Sequence, residues 1–155
     1  MPRRLAALLV VTVLVGACQS GTPQLTVASV QASEPVSGSA QVALTITNDG
    51  DGDDELVAVE TDAAIGIEIH ETVVDDGQAV MERRDAVTVP AGGSVSFRPG
   101  GLHLMMIAPD DDVALGGTFP ITLQFDRSEP ITVEAEVVDL LDLSESAFEE
   151  SDDGA

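Results

Sequence analysis

Two histidines and three methionines stand out in the middle of this sequence. They are all the histidines of the chain and all its methionines after the initiator, and they fall within residues 70–106. His70 is followed after ten residues by Met81, then after twenty-one residues by His103, and after one more by Met105. Imidazole binds copper readily, whereas thioether sulfur suits Cu(I) and is a poor ligand for Ca²⁺, Mg²⁺ or Zn²⁺. These residue types therefore indicate a copper site.

The spacing around the second histidine is that of a β-strand. Residues two apart on a strand point to the same face, roughly 6.5–7 Å apart, so we expect His103 and Met105 to share one face. Leu102, Leu104 and Met106 then take the opposite face. The sequence therefore predicts that Met106 packs in the core and is not a fifth ligand.

A second strand and a turn position the first two candidate ligands. Ile65, Ile67 and Ile69 alternate with more polar positions, which predicts that the isoleucines face the core and that His70 faces the other side. The residues Asp75-Asp76-Gly77 have the sequence of a hairpin turn. We expect this turn to return Met81 along a neighbouring strand towards His70.

These residues resemble the signature of PCuAC-type copper chaperones, which are small extracytoplasmic proteins with a cupredoxin-like fold. The similarity extends over roughly Leu25 to Val138, and the absence of Trp and Tyr is a departure from the family's early strands. The segments that carry it, besides the four spaced residues, are His70-Glu71-Thr72, Pro90-Ala91-Gly92-Gly93 and Arg98-Pro99-Gly100-Gly101-Leu102-His103.

The resemblance implies a function as well as a fold. It assigns the binding of one Cu(I) to four residues, which are His70, Met81, His103 and Met105. It further implies delivery of the metal to the copper sites of cytochrome c oxidase, either directly to the copper-carrying subunit or through a Sco-like protein of thioredoxin fold.

The remaining pattern predicts a single all-β domain. The chain has 155 residues, which is enough for one domain with a substantial core. Short alternating or β-branched segments separated by Gly, Pro and Asp predict a Greek-key β-sandwich or barrel over residues 25–140. These segments are Leu25–Val27, Val42–Ile46, Leu56–Val59, Val87–Val89, Val95–Phe97, Ile121–Phe125 and Ile131–Val137.

The N-terminus has the pattern of a bacterial lipoprotein. Residues 1–17 combine two arginines with an apolar run of eleven residues, which is too short to span a membrane and is typical of a cleaved signal peptide. Val15-Gly16-Ala17-Cys18 resembles a lipobox, so we expect Cys18 to carry the lipid and residues 18–24 to form a tether. The sequence thus predicts an extracytoplasmic protein anchored to the cell membrane.

Acidic residues dominate the charge of the chain. The formal net charge of −22 argues against binding to nucleic acid, which is itself a polyanion.

Residues 141–155 contain six acids and no base, which predicts a disordered tail, with a weak helix from Ser144 to Glu150 as the alternative. The acidic residues between Asn48 and Asp54 superficially match a calcium loop, but strand patterns flank them and an acidic hairpin turn is the preferred interpretation.

Motifs for catalysis are not found in the sequence. It contains no Gly-x-Ser-x-Gly, no phosphate-binding glycine loop and no His-Glu-x-x-His, and a blue-copper centre would need a Cys beside two His. We therefore expect a carrier and not an enzyme. Two alternatives stay open, namely a copper-sequestering or resistance protein with the same ligands, and a metal-free adhesive or scaffolding sandwich.

Overall fold

The fold is a β-barrel followed by one helix, as given by a computed structural model that describes residues 21–149 and their side chains as far as Ser144. The strands of this part are β1 (Leu25–Ser33), β2 (Ser39–Asn48), β3 (Asp54–Glu60), β4 (Ala64–Asp75), β5 (Gln78–Arg84), β6 (Val87–Val89), β7 (Gly93–Phe97), β8 (Leu102–Pro109), β9 (Thr118–Phe125) and β10 (Ile131–Val138), and the helix α1 is Leu140–Glu149. Every strand segment predicted from the sequence lies within one of these strands.

Seven of the strands close into a barrel in the order β4-β8-β2-β1-β10-β9-β3. The barrel is closed by the pairing of Val59 in β3 with Ile67 in β4. Strand β5 extends the sheet beyond β4, β6 lies beside β3, and β7 pairs with β2 next to β8. This nearly all-β, single-domain barrel confirms the predicted fold class.

The core fills the barrel with aliphatic side chains and three phenylalanines. The alternation seen in the sequence explains this, because every second residue of each strand points inwards. Met106 is completely buried, as is its neighbour on the same face, Leu104, so the predicted core position of Met106 is confirmed. Other buried members include Val42, Leu44, Ile46, Leu56, Val89, Phe97, Phe119, Ile121, Leu123 and Phe125.

The prediction for the three isoleucines of β4 is correct for two of them and wrong for the third. Ile69 is buried and Ile67 packs against the core, whereas Ile65 is 84% exposed. Ile65 lies near the start of β4, two residues before Ile67, whose pairing with Val59 closes the barrel. The side chain of Ile65 therefore lies outside the apolar layer.

The acidic segment after β2 is a crossover and not the predicted hairpin turn, because β2 and β3 are not paired with each other. Asn48 organises it from a fully buried position. Its side-chain amide donates to the carbonyls of Gly52 (2.9 Å) and Val89 (3.2 Å), and its Oδ1 accepts from the backbone N–H of Gly50 (3.0 Å). No three His, Cys, Asp or Glu side chains within residues 21–144 are grouped as a metal site would require.

The first described residues are fastened to this crossover by what we call the N-terminal clasp, which comprises Gly21–Gln24, Asp51 and Arg127. The backbone N–H of Thr22 donates to Asp51 Oδ1 at 2.7 Å, and the Arg127 guanidinium donates to the Gly21 carbonyl. A Cβ on Gly21 would lie 2.0 Å from the Asp51 carbonyl oxygen, so only glycine permits this close approach. The clasp fixes the point at which the chain enters the barrel.

Asp54 is a buried carboxylate at the start of β3, with only 1% of its surface exposed. Burial opposes the ionisation of Asp54 and by itself would raise its pKa. The carboxylate accepts hydrogen bonds from the Ser128 hydroxyl and from the backbone N–H groups of Glu55, Arg127 and Ser128. These bonds outweigh burial and lower the pKa of Asp54 below its ordinary value of 3.8. The carboxylate thereby ties β3 to the turn after β9.

Asp54→Asn should destabilise the fold at neutral pH by about 1–3 kcal/mol, because it leaves buried donors with a poorer acceptor. Since the pKa is lower in the folded than in the unfolded state, the stabilisation is present above pH 3.8 and is lost as the pH falls through the lowered folded value. Urea unfolding of both proteins between pH 7 and pH 2 measures this, with exposed Asp126→Asn as the control. A difference in stability that stayed constant across that range would contradict the prediction.

The helix α1 corrects the prediction of a disordered tail from residue 141 onwards. Asp139 caps the helix by accepting the backbone N–H of Leu141 at 2.8 Å, α1 contacts β1, and Leu143 is completely buried. The alternative of a helix from Ser144 onwards agrees with the structure as far as Glu149, but the helix begins four residues earlier, at Leu140. The predicted signal peptide, Cys18 and residues 150–155 lie outside the described residues. Within residues 21–149, no helix is long and apolar enough to cross a membrane.

Candidate metal centre

Strands β5, β4 and β8 lie side by side and carry the four candidate ligands. The connection between β4 and β5 is a two-residue turn in which Asp76 (φ 47°) and Gly77 (φ 80°) both adopt left-handed conformations. Such a turn matches the right-handed twist of a hairpin, and Asp-Gly is one of its preferred sequences. The predicted hairpin is thus confirmed, and it places β5 at the outer edge of the sheet.

The two histidines face each other across neighbouring strands. His70 of β4 pairs directly with His103 of β8, and their ring centroids are 5.9 Å apart with an angle of 71° between the ring planes. His103 is 2% exposed and the side chain of His70 is 15% exposed. Residues that are 33 positions apart in the chain therefore place two largely buried imidazoles next to each other on the sheet.

Each imidazole has one nitrogen engaged and one nitrogen without a partner. Nε2 of His70 lies 2.9 Å from Oε2 of Glu68, and Nδ1 of His103 lies 2.9 Å from the carbonyl oxygen of Gly101. Both acceptors lack a hydrogen to give, so the ring nitrogens must donate. In the neutral rings this leaves lone pairs on His70 Nδ1 and His103 Nε2, and both atoms are buried without a hydrogen-bond partner.

Buried polar atoms in folded proteins are nearly always satisfied, so two such lone pairs on neighbouring rings need an explanation. A bound cation would accept both. The arrangement also matches known metal centres, in which a ligating histidine donates its other N–H to a carboxylate or a backbone carbonyl. The donor set therefore fits a soft metal ion that is held by neutral imidazoles.

The two thioethers lie on the same face of the sheet as the histidines. Met105 is half-buried and pairs with Glu68 of β4, one row away from the histidine pair. Met81 pairs with Thr72, one row away on the other side, and is 55% exposed because β5 is an edge strand. The structure therefore brings the four predicted residues onto one surface, which we call the site face, with the two methionines flanking the histidine pair.

Glu68 is a residue of this face to which the sequence reasoning gave no role. Its carboxylate contacts His70 and also lies 3.3 Å from Nη1 of Arg83 on β5. Its position two residues before His70 was the available signal, because residues two apart on a strand share a face. The Gly101 carbonyl had no such signal, since its contact with His103 depends on how the backbone turns into β8.

This nearly all-β barrel has the fold of PCuAC-type domains, which are its neighbours among solved structures, as the sequence predicted. The chain belongs to the family described as "Putative lipoprotein LpqE-like", whose model matches residues 24–137.

Two relatives in sequence extend the family assignment. "Uncharacterized protein RP573" of Rickettsia prowazekii (strain Madrid E) is 35% identical over 103 residues, which cover 66% of this chain and 56% of that protein. "Putative lipoprotein Lxx21020" of Leifsonia xyli subsp. xyli (strain CTCB07) is 28% identical over 102 residues, which cover 65% of this chain and 61% of that protein. The chain thus spans little more than half the length of these relatives.

Solved structures support the fold. The copper-bound PCuAC domain from PmoF2 is 22% identical, with a TM-score of 0.63 over 74% of this chain and 92% of that one. The solution structure of CuI-DR1885 from Deinococcus radiodurans is 26% identical, with a TM-score of 0.60 over 76% of this chain and 78% of that one. Copper is named in both of these structures.

Proposed function

We propose that this protein is an extracytoplasmic copper chaperone that binds one Cu(I) through His70, Met81, His103 and Met105. The observation that carries the proposal is the pair of buried, unpartnered lone pairs on His70 Nδ1 and His103 Nε2, which lie between two thioethers on one face. The likeness in fold to copper-bound PCuAC domains supports it.

The chemistry of this donor set suits a metal that is carried and then released. All four ligands are neutral, so Cu(I) keeps its own charge and forms no strong thiolate bond. Because Cu(I) has no ligand-field preference, its ligands can be exchanged one at a time. Met81 is the ligand best placed to leave first, since it is 55% exposed on an edge strand while His103 is buried.

Metal titration and X-ray absorption test the proposal directly. Purified protein should bind one Cu(I) per chain in competition with a chromophoric Cu(I) chelator, and it should bind Zn²⁺ more weakly. The absorption spectrum of the Cu(I) form should contain both nitrogen and sulfur in the first coordination shell. A first shell without sulfur would rule out the thioether site.

The recipient that we propose is a copper site of cytochrome c oxidase, reached directly or through a Sco-like thioredoxin-fold protein. Deletion of the gene should then lower oxidase activity, and added copper should restore it. Copper sensitivity with normal oxidase activity would instead identify a sequestering protein. Purified protein that bound no copper at all would identify a metal-free scaffolding barrel.

We further propose that the mature protein begins at a lipidated Cys18, which is supported by the lipoprotein family to which the chain belongs. Two or three acyl chains hold a protein firmly, since each buried CH₂ contributes roughly 0.8 kcal/mol. Cys18→Ser should therefore leave the precursor unprocessed or release the protein from membranes. Cell fractionation with immunoblotting measures this, and unchanged processing and retention of the variant would contradict it.

A further inference from the structure

A third unpartnered atom lies on the site face. Among the described residues, three buried side-chain nitrogen or oxygen atoms have no hydrogen-bond partner, and the third, after the two histidine nitrogens, is Oε1 of Gln41. Gln41 lies on β2 and pairs directly with Met105 of β8, which itself pairs with Glu68 of β4. Residues that pair directly across a sheet share a face, so the Gln41 side chain starts from the same surface as the candidate ligands.

The surroundings of Gln41 leave its amide oxygen without an obvious donor. Glu68, on the other side of Met105, is an acceptor that is already engaged with His70 and Arg83. The backbone N–H of Gln41 donates to Ser33 Oγ at 3.1 Å, which holds the main chain in place. Because Met105 is two residues from His103, Gln41 is a diagonal neighbour of His103, at about 7–8 Å between Cα atoms, a separation that long side chains bridge.

We propose that Gln41 is an additional ligand of the same centre, which it serves when the metal is Cu(II). This inference rests on the proposed function of the site face. An amide oxygen is a hard donor, and Cu(II) favours nitrogen and oxygen ligands in tetragonal geometry, whereas thioethers favour Cu(I). The face then carries two overlapping donor sets that share both imidazoles, one completed by the methionines for Cu(I) and one completed by Gln41 for Cu(II).

Two substitutions in the full mature protein test this role. Gln41→Leu keeps a similar volume but removes the oxygen, so we expect Cu(II) affinity to fall by about tenfold or more and Cu(I) affinity to stay within about threefold. Gln41→Glu supplies a charged oxygen and should bind Cu(II) at least as tightly as the native protein. Competition with a chelator selective for each oxidation state gives the affinities, and electron paramagnetic resonance of the Cu(II) forms should show altered copper hyperfine coupling in Gln41→Leu.

Gln124→Leu is the matched control. Gln124 lies on β9 and donates to Glu60 at 3.2 Å, so its replacement should leave both copper affinities unchanged. The metal-free proteins provide a second readout, because removing a buried acceptor that lacks a donor should not lower the midpoint of thermal unfolding of Gln41→Leu.

Three results separate this inference from its alternatives. Unchanged Cu(II) affinity and resonance in Gln41→Leu would overturn it. Equal losses of Cu(I) and Cu(II) affinity, together with a lower unfolding midpoint, would also overturn it and leave Gln41 a structural role. If the native protein binds no Cu(I), the proposed chaperone function fails, while the comparison of Cu(II) binding between native protein and Gln41→Leu still decides the role of Gln41.

Discussion

His103→Phe should weaken Cu(I) binding by more than about 100-fold, because loss of a mere outer-shell partner already costs 10–100-fold in other metal sites. Phenylalanine retains the flat ring in this buried position but has no lone pair. The same change removes the hydrogen bond from Nδ1 to the Gly101 carbonyl, which still accepts the Thr72 backbone N–H at 3.0 Å, so the metal-free protein should lose about 0.5–1.5 kcal/mol of stability. Chelator competition and urea unfolding measure the two effects separately.

His70→Phe provides the comparison for this result. Its lone pair on Nδ1 is equivalent in the proposed site, so Cu(I) affinity should fall to a similar extent. If either variant bound Cu(I) as tightly as the native protein, the paired imidazoles would not form the centre. The unpartnered nitrogens would then need another explanation.

Met105→Leu should lower Cu(I) affinity by about tenfold or more, a loss in the range seen when a metal site loses a supporting group. The stability of the protein should change by less than about 1.5 kcal/mol, because leucine and methionine have similar volumes. Affinity and unfolding measured on the same preparations therefore distinguish a lost ligand from a damaged fold.

Met106→Leu is a matched control one residue away. Met106 is 0% exposed and points into the barrel, whereas Met105 lies on the site face. Cu(I) affinity should be unaffected in Met106→Leu. A loss as large as that of Met105→Leu would mean that the two side chains are exchanged between core and site face.

The face on which each candidate ligand lies could be predicted from the sequence, because a strand has a strict period of two. That period separates Met105 from Met106, and the Asp-Gly turn brings Met81 back beside β4. The same rule failed for Ile65, because the period states which side a residue faces and not where the core ends. Ile65 lies two residues beyond Ile67, the residue of β4 that pairs with β3 and closes the barrel.

Other features depend on contacts between distant segments, which local patterns do not specify. The loop after Asn48 has the composition of a hairpin turn, yet it is a crossover because β2 and β3 pair with different strands. The helix α1 is stabilised by the capping side chain of Asp139 and by the burial of Leu143. The rest of the segment is mostly acidic and polar, so its composition alone predicts disorder. The unpartnered nitrogens of the two histidines can be identified only from the structure, because the contacts with Glu68 and the Gly101 carbonyl show which ring nitrogen is engaged.

The N-terminal clasp has a consequence for where a lipidated protein would hold its copper. Only three peptide units separate Cys18 from Gly21, and they span at most about 11 Å when fully extended. The clasp meets the barrel beside Asn48, at one end of β2, whereas Met105 lies across from Gln41, seven residues back along the strand and about 23 Å away. The acyl chains would thus reach the barrel near the Asn48 end of β2, whereas the Met105 side of the site lies towards the other end of that strand.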